Sequence, residues 1–256
     1  MKQCASLFET ILGFPYIGNA KDLYKVNTIL NNSDCEFCFS LNFHPLFISD
    51  LCYNGFFPMA EDFLNVYLLL IKYHTVRHIL HFKNLQIPKK VNKKSRRYQF
   101  SLNKAFNDCI DNIIKQHGEG WFFPPLVKAF KALNNNKKYK TNLFSVELWE
   151  DDILVAGEIG FKVGAVYSSL SGFYNKNSCG IIQMIALGKF LEKHNIAYWD
   201  MGMPAEYKKK LGSISMNRNQ YMKLFNKNKD KAVNLQCNKI NVYQIINSDN
   251  LQFRTI

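Results

Sequence analysis

Between Arg97 and Asp200 the spacing of apolar residues changes period several times, and each change marks an element. Tyr98 to Leu102 alternates as a strand does. Ala105, Phe106, Cys109, Ile110, Ile113 and Ile114 then recur at helical spacing, with Ser101 as the expected cap and Gly118 and Gly120 as the stop. A second amphipathic helix carries Leu126, Val127, Phe130 and Leu133, with Pro125 expected at its first position and a turn over residues 134–136. Three strand-like runs follow, Leu143 to Trp149, Ile153 to Phe161 and Ala165 to Ser171. The acidic turn Glu150-Asp151-Asp152 and Gly164 connect them, which predicts an antiparallel meander. Ile181, Ile182, Met184, Ile185, Leu187, Gly188 and Leu191 mark a long helix with Ser178 as its expected cap. Ile196 to Trp199 is a short buried strand that ends at Asp200.

Outside this stretch the pattern is less regular. Residues 1–75 are rich in aromatics and carry turn signals at Gly13, Asn31–Asn32 and Asn54–Gly55, as a small domain of short strands and helices would. Within them the apolar run from Val66 to Ile71 reads as a buried helix turn, being about one-third of a membrane span. Asn226 to Asp230 is an expected loop, and Ile240, Val242, Ile245 and Ile246 an expected edge strand. The whole predicts an α+β fold, a mixed and largely antiparallel sheet flanked by helices. Its expected division is a small N-terminal domain, 1–75, and a larger domain, 76–256.

Composition narrows the function. With 256 residues, 47 % hydrophobic and 21 % charged, the chain is foldable material and not a disordered tail. The net charge of +13 favours polyanions as partners, and much of it is clustered. Lys89, Lys90, Lys93, Lys94, Arg96 and Arg97 form one group and Lys208, Lys209 and Lys210 another; each is a solvated surface or a contact to a nucleic-acid backbone. Seven cysteines without a second pair to match Cys35 and Cys38 predict neither a zinc site nor a disulfide framework. The absence of a signal segment or a membrane-length apolar run predicts a cytoplasmic protein with no membrane partner. Oligomeric state is not legible.

Two acids stand out. Asp200 closes a buried strand, where a polar group is held rigidly at the rim of a cleft or caps the next turn. Glu158 lies between Gly157 and Ile159 in an otherwise apolar strand, a position an ionised carboxylate takes only if paired, hydrogen-bonded or open to water. Cys179 at a helix mouth has no base near it in sequence, because His194 is a helix-length away. Ser168, Ser169 and Ser171 stand in no nucleophile elbow, and no phosphate-binding glycine loop or metal cluster occurs. By elimination, an enzyme here transfers a group from an already activated substrate without a metal or a covalent intermediate.

Residues 51–59 and 76–225 resemble the leucyl/phenylalanyl-tRNA–protein transferases, whose catalytic half looks like a divergent acetyltransferase fold. Gly55-Phe56-Phe57-Pro58 is similar to the family's Gly-Ile-Phe-Pro turn, and Tyr98 to Cys109 to its strand and Ala-Phe helix entry. Trp121 takes the place of a tryptophan of the family, and Ser145 to Trp149 resembles its Ser-Val/Ile-Glu-Val-Trp strand. Trp199-Asp200 and Leu211-Gly212 resemble its later motifs. The chain departs from the family at Gly202, where the family has glutamine, at Leu170, where its Gly-Glu-Ser carries a carboxylate, and at Met59, where it has tryptophan.

The resemblance implies aminolysis of an aminoacyl-tRNA ester by the N-terminal amine of a protein or peptide. Charged tRNA is then the co-substrate, and no other cofactor is needed. Asp200 and Ser169 are the expected catalytic residues, Asp200 orienting the amine and a backbone amide near Ser168–Ser171 facing the oxyanion. Tyr167, Met184, Leu187 and Leu191 match the family's apolar amino-acid pocket; Trp121 and Gly202 complete the expected substrate contacts. The tRNA backbone crosses Lys89, Lys90, Lys93 and Lys94, joined by Arg96 and Arg97. Glu158 stands where the family has methionine, and an acid in that pocket predicts arginine as the donor amino acid, as in protist relatives thought to transfer it. Leucyl or phenylalanyl transfer is the second expectation, and a non-catalytic tRNA-binding protein the third.

Overall fold

A computed structural model describes residues 2–23, 26, 30, 34–134 and 136–247. The turn expected at Asn31–Asn32 lies outside them. The meander forms as its pattern predicts: β6 (Thr141–Glu150), β7 (Ile153–Val163) and β8 (Val166–Tyr174) pair antiparallel in sequence order. Asp151 (φ 54°) and Gly164 (φ 56°) take the left-handed conformation that each tight connection needs. β9 (Tyr198–Asp200) adds parallel to β8, which sets Ser168 beside Asp200. With β4 (Val76–Leu80), β5 (Tyr98–Leu102), β10 (Ile214–Asn217) and β11 (Ile240–Asn241) the sheet has eight strands in the order β10-β4-β9-β8-β7-β6-β5-β11. All its other pairings are antiparallel, so the fold is the expected mixed α+β one.

Alternation along β7 sends side chains into two separate cores. Ile159 and Phe161 face the helix Phe106–His117, whose Cys109, Ile110 and Ile113 are buried on it. Ala156 belongs to the opposite core, with Tyr167 and the helix Cys179–Lys193. Gly157 is required here, because a Cβ would lie 2.6 Å from the Val146 carbonyl oxygen. A smaller sheet, β1 (Phe37–Ser40), β3 (Val66–Lys72) and β2 (Phe57–Phe63) in that order, precedes the large one. The first core is shared between the two, since Phe57, Leu69 and Ile71 belong to the same cluster as Phe161 and Tyr221.

Several local expectations are corrected. Val66 to Ile71 is no helix turn but most of the central strand of the small sheet, paired on both edges; Leu64 and Asn65, both at positive φ, make the hairpin that leads into it. Ser101 does not cap the next helix, because it lies within β5 and the N-cap position falls to Ala105; its hydroxyl donates to Glu147. Ser178 adopts φ 72° and makes no capping bond. The helix Pro124–Leu133 begins one residue before Pro125. Residues 226–228, expected as a loop, end the helix Arg218–Asn228. Beyond the two-residue β11, Val242, Ile245 and Ile246 lie on a short helix, Val242–Asn247, not on an edge strand.

Candidate functional site

The C-terminal end of β9 and the middle of β8 border a cleft with two lobes. The first, about 530 Å³, is lined by Glu158, Gln183 and Met184 together with Phe173 and Tyr207. The second, about 240 Å³, is lined by Phe57, Met59, His74, Trp121 and Gly202. Ser169, Leu170, Met201 and Lys208 belong to both, so the lobes meet at a waist where a hydroxyl and an ammonium stand beside two apolar side chains.

Glu158 forms part of the first lobe and is 4 % exposed. Its Oε1 accepts from the Tyr167 hydroxyl (3.0 Å) and the Ser169 hydroxyl (2.7 Å), and its Oε2 from the Gln183 amide (3.3 Å). Burial pushes its pKa up, against the downward pull of these bonds. The space over neighbouring Gly160 is filled: a Cβ there would lie 2.3 Å from the Tyr167 oxygen. Trp199 in turn donates through Nε1 to Ser169 (2.8 Å), which fixes that hydroxyl at the waist. Of the expected apolar pocket only Met184 lines the lobe. Leu187 and Leu191 are wholly buried in the core beneath it, and Tyr167 is sealed behind Glu158.

Asp200 is as deeply placed. Its Oδ2 accepts from Arg77 Nη1 at 2.7 Å, with side-chain exposures of 1 % and 0 %. Ser168 donates to the same oxygen (3.3 Å) and the Gly202 amide to Oδ1 (2.9 Å). Arg77 also donates to the Gly55 carbonyl, and its guanidinium lies between Phe57 (4.6 Å) and Tyr221 (4.1 Å). The strand end is therefore pinned to the Gly55–Phe57 turn through one buried cation. Asp200 lines neither lobe, and its carboxylate stands in an internal ion pair beneath the cleft.

Sequence reading overlooked two cationic groups here and a histidine. Arg77 carries the same signal as Glu158, a lone charge in a buried strand, Val76 to Leu80. Lys208 was grouped with Lys209 and Lys210, yet its Nζ turns inward and donates to the carbonyls of Met201 and Met203 (2.6 Å each), the residues on either side of Gly202. Burial lowers its pKa, while Asp200 and Glu158 draw it up. His74, in the second lobe, is held neutral: burial first, then Arg77, Lys72 and Lys208, drive its pKa far below the usual histidine range.

Lys89, Lys90, Lys93 and Lys94 lie on the helix Lys89–Lys94, and Arg96 and Arg97 on the turn after it; all six are exposed, with Val91 buried beneath. Lys94 Nζ contacts Ser178 Oγ at 3.1 Å. The cluster thus abuts the N-terminal end of the helix Cys179–Lys193, whose Gly180 and Ile181 line the first lobe. Among the described residues no group of three His, Cys, Asp or Glu side chains is placed to hold a metal, and no helix is long and apolar enough to cross a membrane.

A cleft of this kind, set on a mixed sheet beside a basic helix, suits a transferase whose donor is a nucleic-acid ester. Residues 79–226 match the model of the leucyl/phenylalanyl-tRNA protein transferase family, and the chain belongs to that family. Its enzyme class is accordingly that of the aminoacyl-tRNA–protein transferases. The leucyl/phenylalanyl-tRNA–protein transferase of Flavobacterium johnsoniae is 28 % identical over 154 residues, 58 % of this chain and 71 % of that one. Those of Proteus mirabilis (26 % over 140 residues) and Shewanella loihica (28 % over 143) are each covered to 59 %, and the chain matches 55 % of its own length to each. The solved structure of FemX aligns with 76 % of the chain and 73 % of its own at a TM-score of 0.40 and 10 % identity, too remote to bear on function.

These relatives overturn the arginine expectation and its protist branch: the family and the relatives are leucyl/phenylalanyl transferases. The physical reason lies at Glu158. Its carboxylate is engaged by three neutral donors of the protein and is not an unpaired acid awaiting a guanidinium.

Proposed function

We propose that the chain moves a leucyl or phenylalanyl group from charged tRNA to the N-terminal amine of a protein. The two-lobed cleft carries this reading. The first lobe offers Leu170, Phe173, Met184 and Met201 to an apolar donor side chain, and burying such a chain stabilises the complex by roughly 1.5–3 kcal/mol. In the second, the half-buried Trp121 offers an aromatic surface for the terminal base of the tRNA, with Phe57 in the wall, packed against Arg77. The ester carbonyl then lies at the waist. The amine nitrogen attacks that carbonyl carbon, a C–N bond forms, the C–O bond to the ribose breaks, and the proton lost by nitrogen ends on the ribose oxygen. An α-amine with a pKa of about 8 is partly unprotonated near neutral pH, so alignment and oxyanion stabilisation are the main tasks left to the protein.

Lys208 supplies a cation at the waist, beside the glycine that stands where the family has glutamine. Ser169, hydrogen-bonded on both sides, positions and does not attack. Asp200 acts through Arg77 and the Gly202 amide. The exposed basic helix takes the acceptor-stem phosphates, which position the tRNA without reading its bases. The division at residue 75 belongs to this proposal, supported by the passage from the small sheet to the large one between Lys72 and Val76. A cytoplasmic location accords with the tRNA donor. The test is to incubate the purified chain with leucyl-tRNA and a peptide with a free N-terminus, and to sequence the product by tandem mass spectrometry. Leucine added at the N-terminus, and none on an acetylated control, is the expected result; an unchanged peptide beside intact leucyl-tRNA would refute the reading.

A further inference from the structure

Away from the cleft, where Gly164 turns β7 into β8, the chain has an open basin of about 760 Å³ that receives five lysines: Lys137, Lys140, Lys162, Lys229 and Lys231. Its walls are locked together. A Cβ on Gly164 would lie 2.1 Å from the Lys229 carbonyl oxygen, and the Ala165 amide donates to the Asn228 carbonyl at 3.0 Å. Lys140 and Lys229 each place Nζ 4.6 Å from the ring centre of Tyr53. Asp230 is the one acid in the lining, and it accepts the Tyr53 hydroxyl. Among the described residues none of the five ammonium groups has a carboxylate within 4 Å. Lys162 is the most telling. It is 9 % exposed, its Nζ reaches the Gly164 carbonyl at 3.3 Å, and burial lowers its pKa. A desolvated ammonium whose partner is a single carbonyl is a standing penalty unless an anion arrives to offset it.

We propose that this basin binds two or more adjacent phosphate groups at a site separate from the transfer cleft. Five lysines lining one space exceed what the single carboxylate of Asp230 neutralises, and a run of adjacent phosphates offers the several negative charges that such a lining can take up. The location separates it from the basic helix. Lys162 is four residues beyond Glu158 on β7, roughly 14 Å along the strand. The contact of Lys94 with Ser178, and the pairing of Lys176 with Glu150, place the basic helix at the other end of the β6–β7 hairpin. A tRNA stem leaving the cleft over that helix leads away from the basin.

The probe is tripolyphosphate, titrated by calorimetry into the full chain at low salt. One saturable site is expected, with affinity reduced about ten-fold or more by Lys162→Met and unchanged by Lys115→Met, a control at an exposed lysine elsewhere. Lys162→Met should also raise Tm in the absence of ligand, since it removes a desolvated charge; a purely structural lysine would lower it. No saturable binding, or equal affinity in wild type and Lys162→Met, overturns the site. A parallel titration with uncharged tRNA identifies the source of the phosphates, and either result keeps the site: weaker tRNA binding by Lys162→Met assigns them to RNA, and unchanged binding to a small polyphosphate ligand.

Discussion

Replacing Asp200 by asparagine separates an internal support from a proton-transferring group. Asn keeps the shape but removes the charge, and one of the donors now facing the carboxylate, Arg77, Ser168 and the Gly202 amide among them, must face an NH2. With both partners of the pair at most 1 % exposed, the Arg77 guanidinium is left buried without its counter-charge. Loss of one partner from a buried pair costs about 3–5 kcal/mol. For a chain of this size each kcal/mol moves Tm by roughly 2–4 °C, so Asp200→Asn should melt roughly 6–20 °C lower by scanning calorimetry. Because Asp200 lines neither lobe, transfer measured well below that Tm should fall no more than about ten-fold. Removing the second charge as well, in Arg77→Met/Asp200→Asn, should recover much of the lost stability, as a double-mutant cycle reads directly. A variant melting with the wild type but down about a thousand-fold in kcat would refute this reasoning and make Asp200 the base.

Burial raises the pKa of Glu158 in the folded chain above its unfolded value, so the stability contributed by its protonated form is full below the unfolded pKa and is lost as pH rises through the folded one. Glu158→Gln should therefore gain in Tm over wild type as pH rises from about 4 to 9, and a gain independent of pH would contradict the assignment. It should also raise kcat/KM for leucyl-tRNA, since no ionised acid then borders the apolar lobe. Lys208→Gln keeps one donor for the Met201 or Met203 carbonyl but no charge; kcat should fall roughly a hundred-fold with KM nearly constant, and Lys208→Arg should recover most of it. Equal kcat in wild type and Lys208→Gln would remove Lys208 from the chemistry. Changing Lys89, Lys90, Lys93 and Lys94 together to glutamine should weaken tRNA binding and flatten its salt dependence, by about 0.7–0.9 in log–log slope for each phosphate no longer neutralised. If affinity and slope both stay as in wild type, the tRNA takes another path.

The meander and the helix Cys179–Lys193 were legible although both are buried on most sides, because the acidic turn 150–152 and Gly164 cut the apolar runs to strand length and the helix carries one uninterrupted run too long for a strand. Val66 to Lys72 was not, because a central strand covered on both faces shows a continuous apolar run that a buried helix turn shares. The two serine caps failed for separate reasons: Ser101 lies inside β5, four residues before the N-cap Ala105, and Ser178 stands at the N-cap but at φ 72°, not in the extended backbone a capping residue uses. The acids of the site announced themselves as charges in buried strands. Their pairing did not, since Arg77, itself a charge in a buried strand, is distant from Asp200 in sequence and Glu158 is held by neutral side chains. A buried acid in a sequence shows that something must pair with it, and only the fold shows that Tyr167, Ser169 and Gln183 already do.

The most direct test of the donor is a competition in one vessel. Leucyl-, phenylalanyl- and arginyl-tRNA at equal concentration are offered with one acceptor peptide to the wild-type chain, and the products are separated by mass. Peptide extended by leucine or phenylalanine, in clear excess over arginine, is the predicted result. Arginine as the main addition would contradict the central claim.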